Sequence, residues 1–547
     1  MLIVGAGVNG AGLFRELALQ GVDVVLIDRW DFCSGASAAP SRMIHGGLRY
    51  LEFGEFRLVR ESVVERNRLL VNAPHYVSPL PTTIPLFCRL SGALTAIRRF
   101  LHLGGNRPAH RGSIMVKIGL KLYDMYTGKH RVMPTHRFTS RAEALDRRPA
   151  LHPDTICTAT YYDAKISYPE RLCVELVLDA EAACSEAGAA NYVSLQGASG
   201  GGVVLRDELT ARDLHVRPRV LVNATGAWID LVNSRLDHET ILIDGTKGGH
   251  LVLDNADLLA ALDGEMIYYE TPDGRVSVAL PWLGKALIGS TDIRIENPDD
   301  ARCDDEEVDY ILAAISEVLP GVKVGREDIV SRFSGVRPLR YSGKVAAVQA
   351  SRDHYCDLIE PTDGVNFPIY SMVGGKWTTF RSFSEQVTDS ILDRLGRERR
   401  VETPDLPIGG GKGFPVDDEA RARWLADLSE QTHLDDDRLE TLLWRYGTRA
   451  ADVAAFCAAG QDAPLQHHAT YTAREIEFII RSEQVVHLDD LLLRRTAIAL
   501  LGEMTGDLLD DLLAIAARAG NWTAEQVDRE RTRTVEILLD RHAIDLS

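Results

Sequence analysis

Short apolar runs alternate with amphipathic stretches over residues 1–400. The first run, residues 2–4, is followed by a helical pattern over residues 10–20 and by a second apolar run over residues 23–27. A further buried-strand pattern, residues 220–222, leads into a turn with a glycine at its end. Such alternation predicts an α/β fold. We expect a Rossmann-like nucleotide-binding domain with an inserted α+β substrate domain, the two interleaved along residues 1–400.

The loop between the first strand and the first helix is rich in glycine. Gly5, Gly7 and Gly10 give a tight turn, let the backbone approach a pyrophosphate and let the helix pack closely on the strand. Free N–H groups of the helix then face the phosphates, and Asp28, at the end of the second strand, can accept a hydrogen bond from a ribose. This order of elements predicts a dinucleotide site, although the unit alone does not distinguish FAD from NAD.

The pattern changes after residue 400. Residues 401–416 contain three prolines and four glycines, a composition typical of a linker. Apolar positions recur at helical spacing in most of residues 417–547, and most clearly in residues 439–446, 476–485, 488–501 and 527–539. We therefore expect an all-helical C-terminal domain, which packs on the catalytic part or on a second copy of the chain in a homodimer.

Composition narrows the class of protein. No apolar run is long enough to span a bilayer, and no signal peptide precedes the first strand, so we expect a cytoplasmic protein. The eight cysteines form no CxxC pair or zinc-like cluster, which predicts reduced thiols and no metal site. The net charge of -18 argues against a nucleic-acid partner, because binding phosphate backbones requires excess Lys and Arg.

Positive charge is nevertheless concentrated over residues 89–148, a segment that contains thirteen Lys or Arg and only three acidic residues. Residues 94–103 and 114–123 mix basic and large apolar side chains at roughly helical spacing. Basic amphipathic helices of this kind often lie on anionic membrane surfaces. The same pattern fits an ordinary helix with its apolar face in the core, and the sequence does not separate the two interpretations.

Six motifs extend the dinucleotide signature. They are GAGVNGAG at residues 5–12, IHGGLRYLE at 44–52, EFRLV at 55–59, LVNATG at 221–226, SGVRPL at 334–339 and GGKWTTFR at 374–381. Together they resemble the FAD-dependent glycerol-3-phosphate dehydrogenases, and the motif at residue 44 is the most specific. The resemblance implies FAD as the cofactor, sn-glycerol 3-phosphate as the substrate and a quinone as the electron acceptor. A quinone acceptor implies peripheral contact with the inner face of the cytoplasmic membrane.

The resemblance also implies two sets of site residues. The first set binds the cofactor and consists of Gly5, Gly7, Gly10, Asp28, Ser37, Arg42, Gly46, Gly47, Thr225, Gly226, Gly374 and Gly375. The second set acts on the substrate and consists of Arg49, Tyr50, His250, Thr291, Arg337, Arg352 and Lys376.

Physical chemistry supports the second set. A phosphate dianion in a partly dry pocket calls for guanidinium groups, and Arg337, placed before Pro338, is the first choice. Alcohol oxidation also needs a base, and an imidazole such as His250 ordinarily titrates near neutral pH. Thr291 either bonds a ligand or caps its own turn. Any one of the cations, taken alone, fits a surface ion pair equally well.

Two departures from the family keep the substrate open. Arg42 stands where the family usually has lysine, and residues 167–171 replace a DDAR-like sequence. A related polyol phosphate, such as a four-carbon erythritol phosphate, is therefore an alternative substrate. An oxidase that passes electrons to O2 and a flavin-binding sensor without turnover are two further alternatives.

Overall fold

The computed structural model describes residues 1–88, 113–127, 132–271, 273–341 and 353–546. In chain order the strands are β1 (Leu2–Val4), β2 (Val24–Ile27), β3 (Met43–Ile44), β4 (Val77–Leu86), β5 (Arg137–Ser140), β6 (Cys157–Ile166), β7 (Ala187–Ala190), β8 (Val193–Ser199), β9 (Gly202–Asp207), β10 (Arg212–Val216), β11 (Leu221–Asn223), β12 (Ile243–Leu253), β13 (Met266–Glu270), β14 (Val276–Trp282), β15 (Lys285–Gly289), β16 (Ile293–Arg294), β17 (Ile329–Arg340), β18 (Tyr355–Ile359), β19 (Ile369–Val373), β20 (Pro464–Leu465) and β21 (His468–Thr472).

The helices follow the same order. They are α1 (Val8–Leu19), α2 (Phe56–Asn72), α3 (Ser113–Thr127), α4 (Arg141–Arg147), α5 (Pro169–Ala183), α6 (Ile229–Arg235), α7 (Ala256–Leu262), α8 (Asp305–Val318), α9 (Phe380–Leu395), α10 (Asp418–Thr432), α11 (Asp436–Tyr446), α12 (Ala450–Ala458), α13 (Ala473–Ser482), α14 (Leu488–Asp490), α15 (Gly506–Gly520) and α16 (Ala524–His542). Within the described ranges, none of them is both long and apolar enough to cross a membrane.

The nucleotide-binding layer is a six-stranded sheet in the order β18-β19-β11-β1-β2-β7. Its inner strands are short, mostly buried and parallel, and only β18 in this sheet runs antiparallel to its neighbour. Helices α5 and α9 both pack on α1. Because parallel strands end at the same edge, the loops after β1, β11 and β19 meet there, and open α/β sheets bind ligands at this edge. The predicted Rossmann-like layer, assembled from dispersed segments, is confirmed.

The substrate layer is a larger sheet, in the order β16-β12-β15-β14-β13-β4-β6-β3, with β17 paired to β12 and β5 to β6. The long antiparallel pair of β12 and β17 sets much of the site. Its register places Thr246 opposite Arg337 and His250 opposite Phe333. The sheet is supported by α7 and α8, so this part of the chain is the predicted α+β region.

The C-terminal part is helical except for the small hairpin of β20 and β21. The helical spacing of apolar positions over residues 488–501 is only partly reflected in the backbone, where α14 passes into a π-helical turn, Leu491–Arg495, and then into irregular structure. The physical reason is a pair of neighbouring arginines that both turn inward. Arg494 Nε and Arg495 Nη1 donate to Asp31 Oδ2 at 2.6 and 2.8 Å.

The C-terminal helices pack against the catalytic part of the chain. One hydrophobic core joins Trp282 and Phe333 of the substrate sheet to Leu442, Ile479 and Leu512 of the helices. The glycine-rich connection between the two parts is also packed, since a Cβ at Gly410 would overlap the carbonyl oxygen of Tyr446. This packing agrees with the expectation that the helical domain packs on the catalytic region.

Candidate active site

A cavity of about 300 Å³ opens where β1, β11 and β19 end. It is lined by residues from widely separated parts of the chain, which only the fold brings together. The lining includes eight of the residues predicted to bind the cofactor: Gly5, Gly7, Asp28, Ser37, Thr225, Gly226, Gly374 and Gly375. We refer to this space as the cofactor cavity.

The glycine turn packs closely against neighbouring backbone on the side away from the cavity, which leaves room for a ligand on the cavity side. Gly5 has a φ of +101°, and a Cβ there would lie 2.8 Å from the carbonyl oxygen of Ala224. Gly10 does not line the cavity, because its Cα faces the carbonyl oxygen of Gly5 and brings α1 onto the turn. The N-terminus of α1, whose first N–H groups have no partner inside the helix, therefore opens on the cavity, as a pyrophosphate requires.

Asp28 lies at the other end of this turn. Its Oδ2 accepts a hydrogen bond from Ala6 N at 2.7 Å, and its Oδ1 accepts one from Trp30 N at 3.0 Å. Burial raises the pKa of Asp28 to about 6, against the lowering effect of these two bonds. A ribose hydroxyl that donates to this carboxylate would stabilise its charged form. The turn and the acid thus fit the adenosine diphosphate half of a dinucleotide.

The opposite end of the cofactor cavity is formed by Gly374 and Gly375, with φ values of +76° and +97°. Asn9 Nδ2 donates to the carbonyl oxygen of Gly374 at 3.2 Å. Among the described residues, the buried Oδ1 of Asn9 has no hydrogen-bond partner, so a polar ligand atom would satisfy it. Lys376 follows and also lines the cavity, and α9 begins four residues later.

A second cavity, of about 250 Å³, adjoins the first and is called here the substrate cavity. His45, Tyr50 and Arg337 line both cavities and therefore mark the junction between them. Other lining residues are Ser41, Gly47, Arg49, Glu55, Tyr161, Asp163, Tyr268, Arg275, Ser290, Thr291 and Asp292. A molecule in the substrate cavity would thus lie beside one in the cofactor cavity.

Cationic side chains gather at this junction. Arg337 Nη2 donates to Ser290 Oγ at 2.7 Å and its Nη1 to the Thr291 carbonyl oxygen at 3.0 Å. Lys376 Nζ donates to Ser62 Oγ at 2.6 Å and lies 4.6 Å from the centre of the Tyr50 ring.

Arg49 belongs to the motif of residues 44–52, called here the HGG motif, and lines the substrate cavity. Within the part of the chain that the structure describes, its buried Nε lacks a hydrogen-bond partner. Such a set of fixed donors fits a phosphate group.

His250 does not occupy the position expected of it. It lies outside the lining of both cavities, stacked on Phe333, and its Nε2 is 2.8 Å from Ser41 Oγ. Burial lowers its pKa to about 3, and the positive charges of Arg337 and Arg42 add to this effect. Such a pKa and this placement do not suit the general-base role that the sequence predicts for His250. A neutral imidazole at this place can orient the Ser41 hydroxyl, which does line the substrate cavity.

Arg42 and Gly46 also lie behind the cavities rather than in their walls. Arg42 is fully buried, pairs with Glu170 at 2.7 Å and lies over the ring of Trp282. Gly46 N donates to Asp163 Oδ1 at 2.9 Å. Their placement does not support direct cofactor contact, because tertiary partners distant in sequence hold both residues.

The remaining predicted residues divide as follows. Gly47 and Thr291 line the substrate cavity, but the Thr291 hydroxyl already accepts from Gly249 N at 2.8 Å and donates to Glu307. Arg352 lies outside the described residues. His45 is the site residue that sequence reasoning missed as a candidate, although its position in the HGG motif was the available signal.

Comparisons with known proteins agree with this geometry. A family model described as FAD dependent oxidoreductase matches residues 1–359, and one described as C-terminal domain of alpha-glycerophosphate oxidase matches residues 401–527. The chain is 32% identical to a glycerol-3-phosphate dehydrogenase of Synechocystis sp., over 97% of this chain and 94% of that protein. It is 30% identical to the D-erythritol 1-phosphate dehydrogenase of Brucella abortus, over 91% and 93% respectively.

A solved structure shares the fold. The glycerol-3-phosphate dehydrogenase from Bacillus halodurans, complexed with FAD, superimposes with a TM-score of 0.74 at 22% identity, over 99% of this chain and 94% of that one. Fold and site thus define an oxidoreductase with a dinucleotide cavity beside a substrate cavity. The chain belongs to the FAD-dependent oxidoreductases, in the glycerol-3-phosphate dehydrogenase family, and its cofactor is FAD.

Proposed function

We propose that the protein oxidises sn-glycerol 3-phosphate to dihydroxyacetone phosphate and passes the electrons to a membrane quinone. The observation that carries the proposal is a group of three cations around the junction: Arg337 lines both cavities, Arg49 lines the substrate cavity and Lys376 lines the cofactor cavity. FAD, when bound, accepts a hydride from the substrate carbon. The protein has to hold that carbon in place. Cations with fixed positions that bind the substrate phosphate also fix the position of the carbon.

Arg337 is the main phosphate ligand in this proposal. Its guanidinium is already oriented by Ser290 and by the Thr291 carbonyl, so little side-chain freedom is lost on binding. Asp292 Oδ1 lies 3.3 Å from Nη1 and offsets part of the guanidinium charge. Arg49 contributes a buried donor without a partner among the described residues, and Lys376 adds charge from the side of the cofactor cavity.

His45 is the base that we assign to the hydroxyl proton. It lines both cavities, whereas His250 lies behind Ser41. The backbone of His45 is fixed by Thr378, whose Oγ1 accepts from His45 N at 3.1 Å and donates to His45 O at 3.0 Å. An imidazole held beside the substrate alcohol suits general-base catalysis at neutral pH.

A longer polyol phosphate is the second candidate substrate. The substrate cavity carries polar groups beyond the phosphate-binding cations, among them Glu55, Tyr268 and Arg275. These groups would meet the additional hydroxyls of a four-carbon substrate. The similarity to a protein named D-erythritol 1-phosphate dehydrogenase favours the same alternative.

Helix α3 supports the membrane part of the proposal. Its exposed face carries an apolar stripe, Ile114, Ile118, Leu122 and Met125, with Met125 68% exposed. Lys117 and Lys121 are exposed on the same helix. A water-facing helix ordinarily exposes polar residues, whereas apolar side chains flanked by lysine suit the surface of an anionic bilayer. This contact would place the protein on the inner face of the cytoplasmic membrane, near its quinone.

The substrate is tested by anaerobic mixing of the FAD-loaded protein with glycerol 3-phosphate, erythritol 4-phosphate or free glycerol. Loss of the oxidised-flavin absorbance with glycerol 3-phosphate alone supports the leading proposal, and loss only with the four-carbon phosphate supports the alternative. No loss with any of the three refutes both and favours the flavin sensor. Reoxidation by a soluble quinone, compared with peroxide release in air, then separates a dehydrogenase from an oxidase.

Membrane contact is tested by sedimentation with vesicles that contain phosphatidylglycerol. Ile118→Asp should abolish co-sedimentation, because it places a charge in the apolar stripe. Leu539→Asp, an equally exposed apolar position on α16, is the matched control and should sediment as the wild type does. Binding that survives Ile118→Asp, or that is lost equally in both variants, contradicts the assignment of α3.

A further inference from the structure

The inner face of α3 reaches the HGG motif from behind. Tyr123 is 2% exposed, and its hydroxyl donates to Asp163 Oδ1 at 2.6 Å. The same oxygen accepts a hydrogen bond from Gly46 N at 2.9 Å. A Cβ at Gly46 would overlap the Tyr123 hydroxyl, so this hydroxyl lies directly against the glycine. One tyrosine of a surface helix thus contacts the loop that contains His45.

Arg66 of α2 completes the cluster. Its Nη1 donates to the Tyr123 hydroxyl at 2.8 Å and to Asp163 Oδ1 at 2.9 Å. Arg66 and Asp163 are each 1% exposed, so the two charges form a buried ion pair. Burial raises the pKa of the Tyr123 phenol well above its usual value, and the group therefore stays a donor at any working pH. Asp163 Oδ1 therefore accepts three hydrogen bonds, from Tyr123, Gly46 and Arg66.

The cluster fixes one side of the loop, and Thr378 fixes the other. Asp163 holds the backbone at Gly46, while Thr378 binds both the N–H and the carbonyl of His45. His45 lines both cavities and Gly47 lines the substrate cavity, so a shift at Gly46 moves groups that face the substrate. A displacement of about 1 Å at such a place is enough to change a reaction rate severely.

We propose that Tyr123 is a positioning residue for the reaction and that it acts through Asp163 on the loop His45-Gly46-Gly47. Helix α3 is then part of the active site through its inner face, independently of what its outer face binds. The kinetic part of the inference rests on the proposed oxidation of a polyol phosphate, because that substrate is needed to reduce the flavin.

Tyr123→Phe is the test, since it removes one hydroxyl and keeps the ring in its edge contact with Tyr161. At saturating glycerol 3-phosphate the rate constant of flavin reduction should fall on the order of tenfold, the effect of one lost hydrogen bond to a charged group. The half-saturating substrate concentration and the affinity for FAD should change much less. Tyr126→Phe, one turn along the same helix and also packed inward, should behave as the wild type.

A double-mutant cycle with Asp163→Asn shows whether the effect passes through the carboxylate. The loss caused by Tyr123→Phe should be smaller in the Asp163→Asn background, because the charged acceptor is already gone. Equal losses in both backgrounds overturn the proposed route. A Tyr123→Phe protein that melts earlier but is reduced at the wild-type rate overturns the positioning role and leaves a structural one.

Hydrogen exchange gives a readout that needs no substrate. Peptides that cover residues 44–54 should exchange faster in Tyr123→Phe than in the wild type or in Tyr126→Phe. Unchanged exchange in this segment overturns the inference, whatever the protein oxidises. A wild type that no polyol phosphate reduces, with faster exchange in Tyr123→Phe, refutes the proposed function and leaves the positioning of the loop supported.

Discussion

Replacing Arg337 by alanine is the most direct test of the phosphate site. The side chain lies where the two cavities meet and is only 24% exposed, so its bonds to a ligand are screened little by water. Each charge-assisted hydrogen bond of this kind contributes about 1.5–3 kcal/mol. Two such bonds to a phosphate, reduced by the nearby Asp292 carboxylate, give a net loss of roughly 2–4 kcal/mol.

This loss corresponds to a fall in kcat/KM of roughly 30- to 1000-fold for glycerol 3-phosphate. The assay is anaerobic stopped-flow reduction of the flavin over a range of substrate concentrations, with bound FAD measured in the same samples. Free glycerol lacks the phosphate, so any flavin reduction that it gives at high concentration should be nearly the same in Arg337→Ala and in the wild type. An equal loss for glycerol, or full turnover of glycerol 3-phosphate, refutes the placement of the phosphate.

Arg332→Ala is the matched control. Arg332 lies on the same strand, β17, and pairs with Asp305 at 2.7 Å, but it lines neither cavity. Its loss should leave kcat/KM unchanged. Arg337→Ala has a second expected effect, because the charge of Arg337 helps to lower the pKa of His250. That pKa should rise in the variant, and NMR titration of the His250 ring measures it.

Three further predictions concern single groups. His45→Gln should lower the rate of flavin reduction about a hundredfold or more, the effect of losing a general base, and His250→Gln should lower it less; stopped-flow reduction compares the two. Asp28 has a pKa raised from 3.8 to about 6, so its contribution to the stability of the FAD-free fold is fully present below the lower value and is lost as pH rises through the higher one. Thermal melts of FAD-free Asp28→Asn should lack this fall. Asp31→Asn leaves Arg494 and Arg495 buried without their shared anion and should lower the free energy of unfolding by about 3–5 kcal/mol in urea titrations, against at most about 1 for the exposed Asp540→Asn.

The cofactor side of the site could be predicted because its signals are local. The glycine turn, α1 and Asp28 lie within one βαβ unit, and the spacing of these residues alone requires the geometry. Gly374 and Gly375 are a different case, since the resemblance to a family named them and the parallel sheet brought them to the same edge. No periodicity in the chain joins residue 5 to residue 374.

The substrate side depended on contacts that a sequence pattern does not encode. Arg42 carries the charge expected of a ligand-binding residue, but its guanidinium forms an ion pair with Glu170, which is 128 positions away in the sequence. His250 has a suitable side chain, yet the register of β12 against β17 stacks it on Phe333. Apolar positions likewise recur at helical spacing over residues 488–501, but the backbone there leaves the α-helix at the turn where Arg494 and Arg495 bond the buried Asp31.

The distribution of charge explains how an acidic protein takes an anionic substrate. The chain carries a net charge of -18, yet Arg337 lies where the cavities meet, with Lys376 in the wall of one cavity and Arg49 in the wall of the other. Low-dielectric walls concentrate the field of such a group, so the local potential rather than the net charge determines which ligands enter. Burial, with smaller contributions from the charges of Arg337 and Arg42, lowers the pKa of His250, so its neutral ring can accept a hydrogen bond from Ser41. The neutral His250 therefore adds no positive charge behind the cavity, and the potential that attracts an anion comes from the cations in the cavity walls.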